Sequence, residues 1–302
     1  MSIINKNVGF IGLGAMGRGM ATQCIKKGFK LIVNDILPEP VNHLISLGAK
    51  KANSIKDLAK QCSTIITVLP TGTEVMDVLC SKEGVFENAL SDTLIIELST
   101  IDPNITDLIH LEGKKHKHRV LDAPIGRLAW HAERGESLFM VGGEQSDFEK
   151  AEPLLKAMGS TIYYCGKAGS GIRTKLVNNY LAIILCQLNA EALSLSQTFE
   201  LDLETTLKVI HDTTATNGQL KINWPNKVLS GDTTPGFTIN LAHKDLSLIL
   251  GAANSKFLPL PLAAATRESF SGACSQGYGD QDFSAIADVL CNYAKIPRPR
   301  LK

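Results

Sequence analysis

The sequence predicts an α/β domain built on a doubly wound, mostly parallel sheet, followed by an all-α domain, the two joined by a long helix. Three observations carry this reading. Short apolar runs alternate with segments of helical period as far as residue 165. The strand-like runs then stop at about residue 168, and an unbroken helical pattern of roughly 30 residues follows, from Gly171 to Glu200. Strands alternating with helices demand crossover connections, which cover a parallel sheet on both faces.

Taken in order, residues 7 to 13 (NVGFIGL) read as a short buried strand, 16 to 27 as a helix and 30 to 35 (KLIVND) as a second strand, which makes a βαβ unit. Helices are expected at 38–47 and 54–61, a strand at 63–70, a helix at 73–80, a strand at 93–100, a helix at 103–114 and a strand at 119–124. Two further strands, 136–143 and 160–165, flank a helix at 146–157. In the long helix, Leu176, Tyr180, Ile183, Ile184 and Gln187 recur at helical spacing. At 1.5 Å per residue it would run about 45 Å, long enough for a spine between domains and part of a subunit interface. Helices at about 203–213, 240–255, 260–276 and 281–293 complete the pattern. The expected domains are 1–168, α/β, and 169–302, all-helical.

Composition narrows the function. A chain of 302 residues with 44% hydrophobic content can bury a substantial core. A net charge of +1 with scattered Lys and Arg gives no basic face, so nucleic acid is not an expected partner. The densest basic run, Lys114-Lys115-His116-Lys117-His118-Arg119, reads as a solvated connection and receives no function. Seven cysteines without a CxxC pair fit reduced thiols in a cytosol, and neither they nor the histidines have the spacing of metal ligands. The opening MSIINKNVGFIGLG has no basic region and cleavage site, and no apolar run reaches about 18 residues, so a cytoplasmic protein with no membrane partner is expected.

Gly12-x-Gly14-x-x-Gly17 stands between the first strand and the first helix. In that context Gly12 permits the tight turn, Gly14 lets the backbone approach a pyrophosphate, and Gly17 allows close helix–strand packing, while the helix N-terminus at Ala15 and Met16 favours the negative charge. Asp35, 18 residues after Gly17, ends the second strand, where a carboxylate accepts hydrogen bonds from adenosine ribose hydroxyls. A 2′-phosphate would be repelled there, and Ile36-Leu37-Pro38-Glu39 offers no Arg or Lys to receive one. The expected cofactor is NAD(H). On the long helix, Lys175, Asn178 and Asn179 lie at i, i+3 and i+4, so one face offers a proton donor beside two amides. A lysine works near neutral pH when desolvation or a neighbouring cation lowers its pKa, and Lys244 could be that cation. The plainer reading is an exposed helix lysine, but two Asn inside an otherwise apolar helix are costly unless used. His110, His211 and His243 read as structural, and Asp245 either orients Lys244 or pairs locally.

Together GFIGLGAMG, TVLPTGTEV, ELST, KLVNN and HKDL resemble the β-hydroxyacid dehydrogenases, the family of 3-hydroxyisobutyrate dehydrogenase and tartronate semialdehyde reductase, over nearly the whole chain. The resemblance implies a Rossmann domain, a linking helix, an all-helical second domain and hydride transfer between a nicotinamide and a three- or four-carbon substrate. By matching positions it implies that Leu69 and Pro70 lie along the cofactor, that Ser99 and Thr100 neighbour the nicotinamide ribose, and that Lys175 is the general acid of reduction. It further implies that Asn179 binds substrate and that Lys244 approaches nicotinamide and substrate.

Many family members carry PVSGG where this chain has Pro124-Ile125-Gly126-Arg127-Leu128, replacing a carboxylate-binding serine with a Gly-Arg pair. A guanidinium offers several fixed donors and suits a larger oxyanion. With GIRTKLVNNY, WPNKVLSGD and LAHKDL, the pair resembles the subgroup that reduces 3-sulfolactaldehyde with NADH. That resemblance implies a small anionic aldehyde or alcohol as substrate, with Arg127, Gly126, Asn178, Asn179 and Thr100 around it and Arg127 clamping the sulfonate. A surface loop arginine is the plainer reading. A carboxylate semialdehyde such as succinic semialdehyde is the alternative substrate, and a non-catalytic NAD-binding sensor is the alternative class. Long amphipathic helices point to a homodimer or homotetramer.

Overall fold

The computed structural model describes residues 6–301. Residues 1–5, where the segment read for an export signal begins, and Lys302 lie outside them. The chain forms two compact units, with the division inside the long helix between Lys175 and Leu176.

The first unit runs β1 (Asn7–Ile11), α1 (Ala15–Lys26), β2 (Lys30–Asn34), α2 (Pro38–Ser46), β3 (Lys50–Lys51), α3 (Ile55–Gln61), β4 (Thr64–Thr67), α4 (Gly72–Cys80), α5 (Val85–Asn88), β5 (Leu94–Glu97), α6 (Pro103–Lys115), β6 (Arg119–Asp122), β7 (Ile125–Gly126), α7 (Ala129–Arg134), β8 (Ser137–Gly142), α8 (Gln145–Met158) and β9 (Gly159–Gly166). Helix α9 (Ser170–Thr198) follows. The sheet order β3-β2-β1-β4-β5-β6 is parallel throughout and reverses direction between β1 and β4, the switch point beside which such sheets bind ligands. Strand β8 runs antiparallel to β6 and β7 and parallel to β9.

Side-chain alternation explains why the sheet is covered twice. Val8 and Phe10 of β1, Leu31 and Val33 of β2, Ile66 of β4, Leu94 and Ile96 of β5, and Leu121 of β6 enter one core. Their neighbours Ile11, Ile32, Ile65, Ile95 and Val120 enter the other. Successive residues of a strand point to opposite faces, so each run must be apolar throughout to serve both.

Several expected strands are shorter than read. The runs at 7–13, 63–70 and 93–100 end at Ile11, Thr67 and Glu97. The apolar residues beyond them, Leu13, Leu69 and Leu98, continue the pattern while the backbone has already left the sheet, and these exits form the rim at the switch point. The short elements β3, α5, β7 and α7 have too few residues to show a period.

The second unit continues from α9 through α10 (Leu203–His211), α11 (Ile239–Asn254), α12 (Pro261–Ser275) and α13 (Ile286–Ala294). Its core gathers Ile183, Leu193, Leu246, Phe270 and Ile286 around Trp224, which is fully buried. Between α10 and α11, residues 219–230 form a π turn and two 3-10 turns in place of a loop. The helix expected at 281–293 begins instead with a 3-10 turn at Phe283–Ala285, because the Asp282 carboxyl accepts from the Ser284 amide and hydroxyl. The C-terminal tail is fastened to this unit. Arg298 and Arg300 both reach Oδ2 of the buried Asp288, and the Leu301 amide donates to the Leu229 carbonyl. No helix among the described residues is long and apolar enough to cross a membrane.

Candidate active site

The glycine motif forms the turn its spacing predicts, and each glycine is explained by a different neighbour. Gly12 has φ +90, and a Cβ there would sit 2.0 Å from the Val68 carbonyl oxygen. At Gly17 a Cβ would lie 2.1 Å from the Gly12 carbonyl oxygen, so α1 could not start this close to β1 with any other residue. At Gly14 a Cβ would meet no described protein atom within 4 Å, and φ is an ordinary −62. Packing therefore explains Gly12 and Gly17 but not Gly14, whose open side leaves room for a pyrophosphate at the exposed start of α1, beside Ala15 and Met16. The residues present fit a dinucleotide.

Asp35 closes this turn. Its Oδ2 accepts from the Leu13 amide at 2.5 Å and its Oδ1 from the Leu37 amide at 2.8 Å. That leaves lone pairs on a partly exposed carboxylate for ribose hydroxyls. Across the mouth of β2, Arg18 of α1 pairs with Glu39 of α2 at 3.7 Å.

The exits of β4 and β5 are tied together. The Ser99 hydroxyl accepts from the Leu69 amide at 2.8 Å, and the Ser99 amide donates to Oε1 of Glu97 at 2.9 Å. Leu69 is thus held against the segment that carries Ser99 and Thr100, and Pro70 follows it in the chain. Glu97, the first residue of ELST, has no role legible in the sequence. It is buried at the end of β5, and burial pushes its carboxyl up to about 7 against the pull of the Ser99 hydrogen bonds, with Asp122 on the adjacent strand adding to the rise.

Gly126 lies in β7, and Arg127 follows in left-handed backbone with φ 71. Arg127 is exposed, and its guanidinium reaches the residue before β8 and two residues of β9. Its Nη1 donates to the Glu136 carbonyl at 2.6 Å and the Ser160 hydroxyl at 3.1 Å, and its Nη2 to the Thr161 hydroxyl at 3.0 Å. Trp130 and His131 stack at 3.4 Å, with the Arg134 guanidinium 4.8 Å over the indole. His131 Nδ1 accepts from the Leu128 amide, and burial, then the nearby Arg127 charge, lowers its pKa.

On α9, Lys175 is 8% exposed and stands one turn before Asn179, which is buried. A polar chain continues from there. Asn178 donates through Nδ2 to Oδ1 of Asn179 at 3.0 Å, and Asn179 donates through its own Nδ2 to Oδ2 of Asp245 at 2.6 Å. Lys244 Nζ lies 3.4 Å from Oδ1 of the same carboxyl. Asp245 therefore pairs with the adjacent Lys244, and it also fixes the amide of Asn179, a partner that the sequence does not indicate. His243 bonds the Ser271 hydroxyl within the same unit. All seven cysteines are free, and no three described His, Cys, Asp or Glu residues converge as metal ligands.

Residues 7–166 match the family model for the NAD binding domain of 6-phosphogluconate dehydrogenase, and residues 169–290 match the model for the NAD-binding region of NADP-dependent 3-hydroxyisobutyrate dehydrogenase. The chain is 43% identical over 283 residues to a 3-sulfolactaldehyde reductase of Escherichia coli, covering 94% of this chain and 95% of that one. It is 32% identical over 291 residues to an NAD-dependent L-serine dehydrogenase of Pseudomonas aeruginosa, covering 94% and 98%. Among solved structures, the 3-hydroxyisobutyrate dehydrogenase of Mycobacterium tuberculosis with L-serine superposes with a TM-score of 0.87 at 27% identity, over 96% of this chain and 99% of that one. With a glycine cradle at the switch point and a lysine followed one turn later by two asparagines along α9, the chain belongs to the β-hydroxyacid dehydrogenases, oxidoreductases that act on a CH–OH group with a nicotinamide cofactor.

Proposed function

We propose that this enzyme reduces 3-sulfolactaldehyde to 2,3-dihydroxypropane-1-sulfonate with NADH. The observation that carries the reading is the buried Lys175 one turn from Asn179, in a chain so similar to the Escherichia coli reductase. When bound, the nicotinamide supplies the hydride. Lys175, as an ammonium, donates a proton from Nζ to the aldehyde oxygen as that oxygen gains charge, and it is left as the neutral amine. In the reverse direction the amine takes the proton from the alcohol. Asn179, held by Asp245, presents a fixed amide to the substrate, so orientation is settled before the reaction begins.

Arg127 clamps the sulfonate. Its present partners are two hydroxyls and one carbonyl at an exposed position, groups that water can satisfy when the guanidinium turns to three sulfonate oxygens. Asp35 favours NADH over NADPH, since its carboxylate would repel a 2′-phosphate. Exposed Val177, Leu181, Leu188 and Leu195 form an apolar stripe along α9 that supports self-association into a dimer or tetramer, which light scattering would measure.

The deciding experiment is the initial rate of NADH oxidation with 3-sulfolactaldehyde, succinic semialdehyde and tartronate semialdehyde at equal concentration. A preference of about 100-fold for the sulfonate, or about 2.7 kcal/mol, is expected. Comparable rates would remove the sulfonate and leave the dehydrogenase. Lys175→Ala should lower turnover by several orders of magnitude. Arg127→Ala should raise KM for the sulfonate with NADH affinity nearly intact.

A further inference from the structure

The first amides of a helix have no partner within it and are ordinarily met by a side chain at the residue before the helix. At the start of α9 the partner comes from elsewhere. Asp122, the last residue of β6 and 1% exposed, accepts from the Gly169 amide through Oδ1 at 2.8 Å and from the Ile172 amide through Oδ2 at 2.9 Å. His110 Nε2 of α6 lies 3.0 Å from Oδ1 and completes the set.

Two other features make the same turn rigid. A Cβ at Gly171 would lie 2.2 Å from the Met140 carbonyl oxygen and 2.5 Å from that of Asp122, so the turn rests directly on the main chain of β6 and β8. Arg173 makes two bonds to Asp107 of α6, at 2.9 and 2.7 Å, and Nη1 also donates to the Gly169 carbonyl. Lys175 follows Ile172 by three residues, about 4.5 Å along the axis. A shift of the first turn is carried to it along the same continuous helix.

We propose that Asp122 is a positioning residue: by holding the Gly169 and Ile172 amides it fixes the height and rotation of the first turn of α9, and with them the location of the Lys175 ammonium. The inference rests on the reading of Lys175 as the general acid. It assigns a task to a buried carboxyl that makes no step of the reaction itself. It also explains why a buried acidic residue ends β6, where an apolar one would fill the strand as well.

The test is Asp122→Asn, which keeps the shape but leaves one acceptor oxygen for two amides. Amide hydrogen exchange at Gly169 or Ile172 should quicken about tenfold. With NADH and 3-sulfolactaldehyde, kcat should fall about 100-fold, the scale of an ångström-sized misplacement, while KM for NADH stays within about twofold. Asp107→Asn, which weakens only the exposed pair, should cost kcat less than about tenfold. Faster exchange with wild-type kcat would make Asp122 a structural cap and overturn the proposal. A fall in kcat matched by a rise in KM for NADH would mean general damage to the nucleotide-binding unit and would also overturn it. If Asp122→Asn does not fold, His110→Ala releases Oδ1 from one contact and should lower kcat at constant KM for NADH; wild-type kcat there overturns the proposal. Turnover retained in Lys175→Ala would remove the functional reading and leave the exchange result standing.

Discussion

Asn179 and Asp245 are 66 residues apart in sequence, yet the Asn179 amide donates to the Asp245 carboxyl at 2.6 Å and so joins α9 to α11. Both side chains are buried, Asp245 to 1% exposure. Since Oδ1 of Asn179 already accepts from Asn178, the amide has one orientation that satisfies both neighbours. Asp245→Ala would leave a buried N–H without a partner, at a cost of about 1–3 kcal/mol. The urea midpoint should fall accordingly, and KM for the aldehyde should rise more than KM for NADH. Asp245→Asn keeps an acceptor oxygen and should recover part of both losses.

Burial of Glu97 makes part of the folding stability depend on pH. Burial pushes its folded pKa up to about 7 from an ordinary 4.5, so between those values the folded protein binds more of the proton than the unfolded chain does. Its contribution therefore weakens as pH rises from about 4.5 to about 7, by at most on the order of 3 kcal/mol. Glu97→Gln removes the titration while keeping an oxygen for the Ser99 amide. Denaturation midpoints of the two proteins should diverge in favour of the Glu97→Gln variant as pH is raised from about 5 to about 8. Parallel curves would show that Glu97 does not titrate in this range.

Glu97 and the bond between Asn179 and Asp245 mark the limit of what is legible in the sequence. Lys175 and Asn179 stand out because four residues make one helical turn, so their shared face follows from spacing alone. Gly12, Gly14 and Gly17 stand out because a strand–turn–helix needs them in that order. Asp245 and Asp122 act across 66 and 50 residues, and nothing near either one in sequence announces the partner. The same holds for the fold. Strands β1, β2, β4, β5 and β6 are apolar on both faces and readable as such, whereas β7 is two residues paired to β8, and α7 is six residues. Such elements are made by their neighbours rather than by their own propensity.

The C-terminal tail should be a small stabilising clasp. Arg298 and Arg300 meet on Oδ2 of Asp288, whose side chain is 2% exposed. Either arginine alone can still offset the buried charge, so Arg298→Ala and Arg300→Ala should each cost less than about 1 kcal/mol. The double variant leaves Asp288 without a cation and should cost about 2–3 kcal/mol, more than the two single effects added. Thermal midpoints of the four proteins measure that coupling directly. Additive losses would show that Asp288 depends on neither arginine.

Gly14 and Gly17 separate cofactor binding from folding within one motif. At Gly17 an added methyl would overlap the Gly12 carbonyl, which is main chain and cannot yield, so Gly17→Ala should lose about 1–3 kcal/mol of stability and NADH binding with it. At Gly14 the backbone is in a region open to any residue, and the space beside it holds no described protein atom. Gly14→Ala should therefore leave the ligand-free protein within about 0.5 kcal/mol of wild type. The methyl would instead stand where the pyrophosphate approaches, and NADH affinity should fall at least about tenfold, a loss of about 1.4 kcal/mol in binding alone. Calorimetric titration of NADH into each variant, beside its thermal midpoint, checks both halves. Wild-type affinity in Gly14→Ala would move the pyrophosphate away from this turn.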